Sequence, residues 1–214
     1  AEGVTTWTAG PKRVHLDRVE WHAMPDAGTA ANALIAGEAQ WWENPPVERQ
    51  AALRGNRTVV MEIPDPTGFV GMARFNHLHP PFNSMAIRRA LLGAVDQEEF
   101  MTAVVGADRS LWREDVGIFG PGTPLANDEG MSVLTGNRDI EKVKREISEA
   151  GYGGEKVVLL AATDFPTLSA IANVGANLLR RVGMDVELVA DEWATLVRRR
   201  ANRAPPSEGG WSMF

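Results

Sequence analysis

Between Asp139 and Arg200 the sequence switches repeatedly between helical and strand periodicity, and no other stretch limits the fold as tightly. Asp139 is placed to cap a helix, its carboxylate accepting from first-turn amides, and the amphipathic stripe it opens runs to Ala150 before Gly151 ends it. Lys156 to Ala162 is an apolar run of strand length. Pro166 stands where a helix tolerates proline, in its first turn, and the helix it opens closes at Gly183. Met184 to Ala190 reads as a second strand, and Asp191 begins another helix. A strand that returns through one helix lies parallel to its predecessor with a right-handed crossover. Residues 139–200 are therefore expected to form an αβαβα layer, with a parallel sheet covered on both faces.

The first part of the chain has shorter signals. Residues 1–13 carry no apolar period and read as a loop or frayed end. Val14 to Met24 alternates as a strand up to Pro25; Asp26 caps a helix that Gly37 ends; and Ala39 to Glu43 reads as a second strand, which makes a βαβ unit. A short helix begins around Pro46 and closes at Gly55. Thr58 to Ile63 and Gly68 to Phe75 read as two further strands around the turn at Pro64 to Thr67. At Asn76 the texture turns polar and proline-rich, so a domain boundary is placed near 76, dividing the chain into 1–75 and 76–214. Ser84 and Asp96 cap two helices, the second ending at Gly106. Residues 107–138 form a long irregular stretch whose Trp112 and Phe119 argue for a packed loop.

Twenty-two Lys and Arg against 28 Asp and Glu leave a net charge of −6, which provides no cationic field for nucleic acid. With no cysteine in the chain, disulfides, thiolate metal sites and cysteine nucleophiles are excluded. No apolar run reaches the ~18–20 residues that span a bilayer, and the first residues lack a signal-peptide pattern, so the chain is expected to be soluble as given. His77 and His79 could share one side of an extended segment, but no acidic residue stands at ligand spacing, and His15 and His22 have no paired partner; no metal site is expected. No hydrolase motif of the nucleophile-elbow, Ser-x-x-Lys or His-Glu-x-x-His type occurs, and the turn Ala162-Thr163-Asp164-Phe165-Pro166 lacks the glycines that admit a pyrophosphate. Neither catalytic residues nor a cofactor are expected. The run Arg198-Arg199-Arg200 reads as a solvated helix end.

The aromatic residues are more informative, because seven tryptophans stand against one tyrosine. Open α/β sheets bind small ligands outside the carboxyl ends of their strands. Trp42, Glu43 and Asn44, then Thr163 and Asp164, then Trp193 fall at or just beyond such ends. An indole there offers a flat apolar wall. These residues are the candidate ligand contacts.

The stretch FNHLHPPFNSMAIRRALLGAVDQEEF, residues 75–100, resembles the family-five solute-binding proteins of ABC transporters, the oligopeptide and dipeptide binders. Its carriers are Asn76, Pro80-Pro81-Phe82, Arg88-Arg89-Ala90 and Ala94-Val95-Asp96-Gln97. MPDAGTAANALIAGEAQWWE (24–43), DIEKVKREISEAGY (139–152) and LLRRVGMDVELVADEWATL (178–196) follow the same family in fixed order. The resemblance implies a fragment with lobes like those of type II periplasmic binding proteins, three-layered αβα with a mostly parallel sheet. Residues 1–75 would be the end of a partial first lobe and 76–214 most of the second. It implies an extracytoplasmic, periplasmic-type receptor that closes on a peptide or similar solute and delivers it to a membrane permease. It adds Arg200, two turns beyond Trp193, to the ligand contacts. Ser169 and Ala170 stand where dipeptide binders have an arginine, which points away from carboxylate clamping at that place. A small α/β enzyme, hydrolase or transferase, and an interaction module remain as alternatives.

Overall fold

The computed structural model describes residues 15–214; the loop expected over residues 1–13, and Val14 at the head of the first expected strand, lie outside the described residues. The described chain divides into two compact units, a smaller one ending at Glu62 and a larger one from Ile63 to Phe214.

The smaller unit holds α1 (Ala27–Ala36) and α2 (Val47–Arg54). The Asp26 carboxylate accepts from Thr29 N at 2.6 Å and from the Thr29 hydroxyl at 2.9 Å, as its N-cap position predicts. Gly37 closes α1 with φ of 78°, the left-handed value that glycine reaches without Cβ strain. Ala30, Ala31, Ala33 and Leu53 are buried.

The strands expected over Val14 to Met24 and Ala39 to Glu43 do not form, so the expected βαβ unit is absent from the described residues. Alternation alone does not make a strand: the ladder needs a partner, and nothing among the described residues pairs with these segments. Their apolar side chains accordingly stay outside, Trp21 at 84% and Trp41 at 72% exposure. Thr58 to Ile63 and Gly68 to Phe75 fail as strands for the same reason, except for a bridge from Phe75 to Met213.

In the larger unit, Ser84 and Asp96 cap α3 (Met85–Leu92) and α4 (Gln97–Val105). The long connection that follows contains a 3-10 turn at Arg109–Leu111 and the short α5 (Ser132–Thr135). It packs through Trp112 and Met131, 7% and 8% exposed, whereas Phe119 stays largely outside. Then come α6 (Ile140–Glu149), β1 (Val157–Ala162), α7 (Pro166–Arg181), β2 (Val186–Asp191) and α8 (Trp193–Arg200). The two strands pair in parallel, Val157 opposite Val186 through Ala162 opposite Asp191. The αβαβα expectation is met, with Glu192 rather than Asp191 at the N-cap position of α8 and without a side-chain cap of its own.

Every residue of β1 is buried, because both faces of this strand are covered. Val157 and Leu159 join Phe82, Ile87, Leu91, Val143, Ile147, Leu178 and Leu179 in the main core, while Val158, Leu160 and Ala162 pack with Leu196 of α8 on the other side. On its free edge β1 receives the chain's last residues: Ser212 N donates to Val158 O at 2.8 Å and Leu160 N to Met213 O at 3.0 Å. The Ser212 hydroxyl accepts from Val158 N at 3.0 Å. Beyond it runs an antiparallel rung, Arg74 N to Phe214 O at 2.8 Å and Phe214 N to Arg74 O at 3.0 Å. Asn76, buried, donates its side-chain amide to Trp211 O at 2.9 Å and accepts from Leu78 N at 3.1 Å. The family-like Asn76 thus anchors this rung.

Gly210 allows the tail to reach that edge. A Cβ there would lie 1.9 Å from Ala204 O and 2.8 Å from Pro205 O, so only glycine fits this approach.

Candidate functional site

At the carboxyl end of β1 the chain turns out as Thr163-Asp164-Phe165 before α7, and at the end of β2 as Asp191-Glu192 before α8. Parallel pairing brings these two exits side by side: Thr163 N donates to Asp191 O at 2.9 Å. Asp164 Oδ1 then accepts from Trp193 N at 2.8 Å, so the β1 exit supplies a carboxylate to a free amide in the first turn of α8.

That hydrogen bond places the Trp193 indole in an aromatic group. Its ring centroid lies 5.7 Å from Phe165, nearly edge-on at 64°, and 5.5 Å from Phe214. Phe214 meets Trp211 at 6.4 Å. The Arg200 guanidinium sits over Phe214, 4.8 Å from the ring centre, in the range of a cation–π contact. Trp211 Nε1 donates to Arg200 O at 2.9 Å, which fixes the end of α8 against the tail. Trp193, Trp211 and Phe214 are half-buried, whereas Thr163 and Asp164 are exposed. The result is an aromatic rim with an acidic group at one side and a guanidinium at the other.

Four of the seven residues expected to contact ligand, Thr163, Asp164, Trp193 and Arg200, are joined in this way. Phe214 links Trp193 to Arg200 but has no signal in the local sequence, since its position depends on pairing with Arg74, far away in the chain. Phe165 was visible in the turn after the first strand, whereas Trp211, which opens the last segment GGWSMF, reaches the group only through the pairing of the tail. Trp42, Glu43 and Asn44 belong to the smaller unit; they follow no strand, and they form a turn in which Asn44 has φ of 53°. Trp42 is half-buried there and Glu43 exposed. His79 Nε2 lies 2.9 Å from Arg203 O.

The larger unit also holds a partly open apolar pocket of about 840 Å³, lined among others by Phe69, Leu91, Trp112, Ile171, Leu178 and Met213. No helix among the described residues is long and apolar enough to cross a membrane.

The model of the family described as bacterial extracellular solute-binding proteins, family 5 Middle, matches residues 5–214. A protein of Sinorhizobium fredii named "Probable peptide ABC transporter periplasmic-binding protein" is 36% identical over 208 residues, covering 96% of this chain and 39% of its own length. Di/tripeptide-binding protein 1 of Pseudomonas aeruginosa is 26% identical over 195 residues, covering 88% of this chain and 35% of its own. The crystal structure of the ABC transporter substrate-binding protein CtaP of Listeria monocytogenes superposes with a TM-score of 0.69 at 20% identity, over 88% of this chain and 37% of that one. The chain thus spans well under half the length of the relatives it matches, and its α/β architecture with a parallel sheet is part of their type II periplasmic-binding-protein fold.

Proposed function

This chain belongs to the bacterial extracellular solute-binding proteins, family 5, and from that we propose that it is part of the extracytoplasmic receptor of an ABC importer that binds a peptide or similar small solute. The family is one of solute binding rather than catalysis, and the α/β-enzyme alternative gives way to it. In this proposal residues 1–75 contribute the end of the first lobe and 76–214 most of the second. Delivery is to a membrane permease, and ligand closes the lobes by binding the closed state better than the open one.

The observation that carries the proposal is the rim at the ends of β1 and β2. The Asp164 carboxylate, the Trp193 face and the Arg200 guanidinium offer partners for an amine, an apolar side chain and a carboxylate. A short peptide carries all three. Names of relatives support the same class: one is a peptide-transporter protein and another a di/tripeptide binder. Thr163 borders the rim, and Trp42, Glu43 and Asn44 are proposed to meet the solute from the first lobe.

Calorimetric titration with a panel of di- and tripeptides tests this. Burying an indole against a ligand contributes ~1.5–3 kcal/mol, so Trp193→Ala should weaken binding by roughly ten- to a hundredfold. A folded Trp193→Ala protein with unchanged affinity for the bound peptide would overturn the assignment. Solute-dependent pull-down of an ABC permease from membranes of the source organism tests the partner.

A further inference from the structure

The cavity in the larger unit is closed on one side by a segment with almost no regular structure, held by side chains of α4. Trp112 and Met131, both buried, are its fixed ends. Between them the chain makes no helix or strand. Ile118 and Leu125 on this segment are 82% and 63% exposed, so its outer part buries little apolar surface.

Its attachment is polar and concentrated at one point. Gln97, the first residue of α4, grips the backbone of Val116 in both directions: Nε2 donates to Val116 O at 2.7 Å, and Oε1 accepts from Val116 N at 2.9 Å. Beside it, Arg109 pairs with Glu114 at 3.0 Å and Glu98 at 3.5 Å and lies 4.1 Å over the Trp112 ring. These ion pairs are half exposed and screened by solvent. Asp115, immediately before the gripped residue, has φ of 58°, and Gly122 and Gly130 have φ of 86° and 74°. Glycine occupies that region freely, whereas aspartate does so at a cost. The grip on Val116 therefore holds its neighbour in a conformation that release would relax.

We propose that residues 113–130 form a strap over the apolar cavity, latched by Gln97 on Val116 and loaded by the left-handed Asp115, which opens locally while the sheet and its helices stay folded. Val116, Gly117, Ile118, Gly120 and Pro121 of the strap line one side of this partly open pocket, so opening exposes its buried floor, Leu91, Leu178 and Met213. The strap lies apart from the rim at Trp193 and does not depend on the solute-binding proposal.

Hydrogen exchange by mass spectrometry on the complete chain tests it. Amides of 113–130 should exchange together and well ahead of those in β1 and β2, as a low-stability local unit does. Gln97→Ala should accelerate exchange over 113–130 roughly ten- to a hundredfold, the loss expected for two hydrogen bonds, with β1 protection unchanged and with increased fluorescence of the apolar probe anilinonaphthalene sulfonate. Asp115→Gly, which keeps the latch and removes the strain, should slow exchange of the same amides a fewfold. If Gln97→Ala does not fold, Arg109→Ala reads the same segment. Unchanged exchange over 113–130 in the latch variant, acceleration spread equally into β1, or faster exchange in Asp115→Gly would each overturn the strap.

Discussion

Tyr152 is the only tyrosine in the chain, and its hydroxyl is engaged in both senses. It donates to Glu155 O at 2.8 Å and accepts from Asp185 N at 2.8 Å, joining the turn before β1 to the turn before β2. Burial, and next to it the nearby carboxylates of Asp185 and Glu155, hold its pKa above the ordinary value of 10.0, against the lowering effect of the Asp185 amide. The consequence for stability has a definite sign. A group whose pKa is raised on folding contributes its full share below the unfolded pKa and loses it as pH rises through the folded one, where tyrosinate can no longer donate to Glu155 O. Tyr152→Phe should therefore lower stability at neutral pH by about 1–2 kcal/mol and flatten the decline of the urea midpoint above pH ~10. Equal alkaline slopes for the two proteins would remove this role from Tyr152.

At the scale of elements, glycines in the larger unit make opposite demands. Gly175 in α7 has room: a Cβ there would meet Met213 Cε at 3.8 Å and Leu159 Cδ2 at 3.9 Å, ordinary contact distances. Gly175→Ala should stabilise α7 by about 0.4–1 kcal/mol. Gly210→Ala, facing the carbonyls of Ala204 and Pro205, should push the tail off β1 and lower the melting temperature, with loss of protection at Val158 and Leu160 amides. A Gly210→Ala protein that melts like the parent would refute the close approach. The helix caps were legible in sequence because a cap is a local event: Asp26, Ser84, Asp96 and Asp139 each accept from an amide three residues on. The parallel pair β1 and β2 was legible because a single helix between two apolar runs leaves few other topologies. The tail rung, Met213 against Leu159 and Phe75, was hidden, since it depends on contacts remote in sequence, and Phe214 was lost from the candidate site with it. The alternating segments 58–63 and 68–75 misled in the opposite direction, by showing a strand's pattern without a strand's partner.

For the molecule as a whole, the two units differ in how much they bury. The larger has a sheet strand covered on both faces by helices, whereas among the described residues the buried apolar set of the smaller is chiefly three alanines and Leu53. Local stability follows buried apolar contact. Amides of α1 and α2 should accordingly lose protection at lower urea than those of β1, α7 and β2 when exchange is followed through an unfolding series. Coincident loss across both units would show that they unfold as one.

The rung that pairs Arg74 with Phe214 sets two distant points of the sequence one strand spacing apart, about 4.8 Å. Nearly all of the larger unit hangs between them as a single excursion that leaves this rung at Arg74 and returns to it at Phe214. A length of chain with this geometry is a natural cassette: its ends match the gap across a tight hairpin loop, so it can be spliced into a host protein at such a loop without stretching either partner.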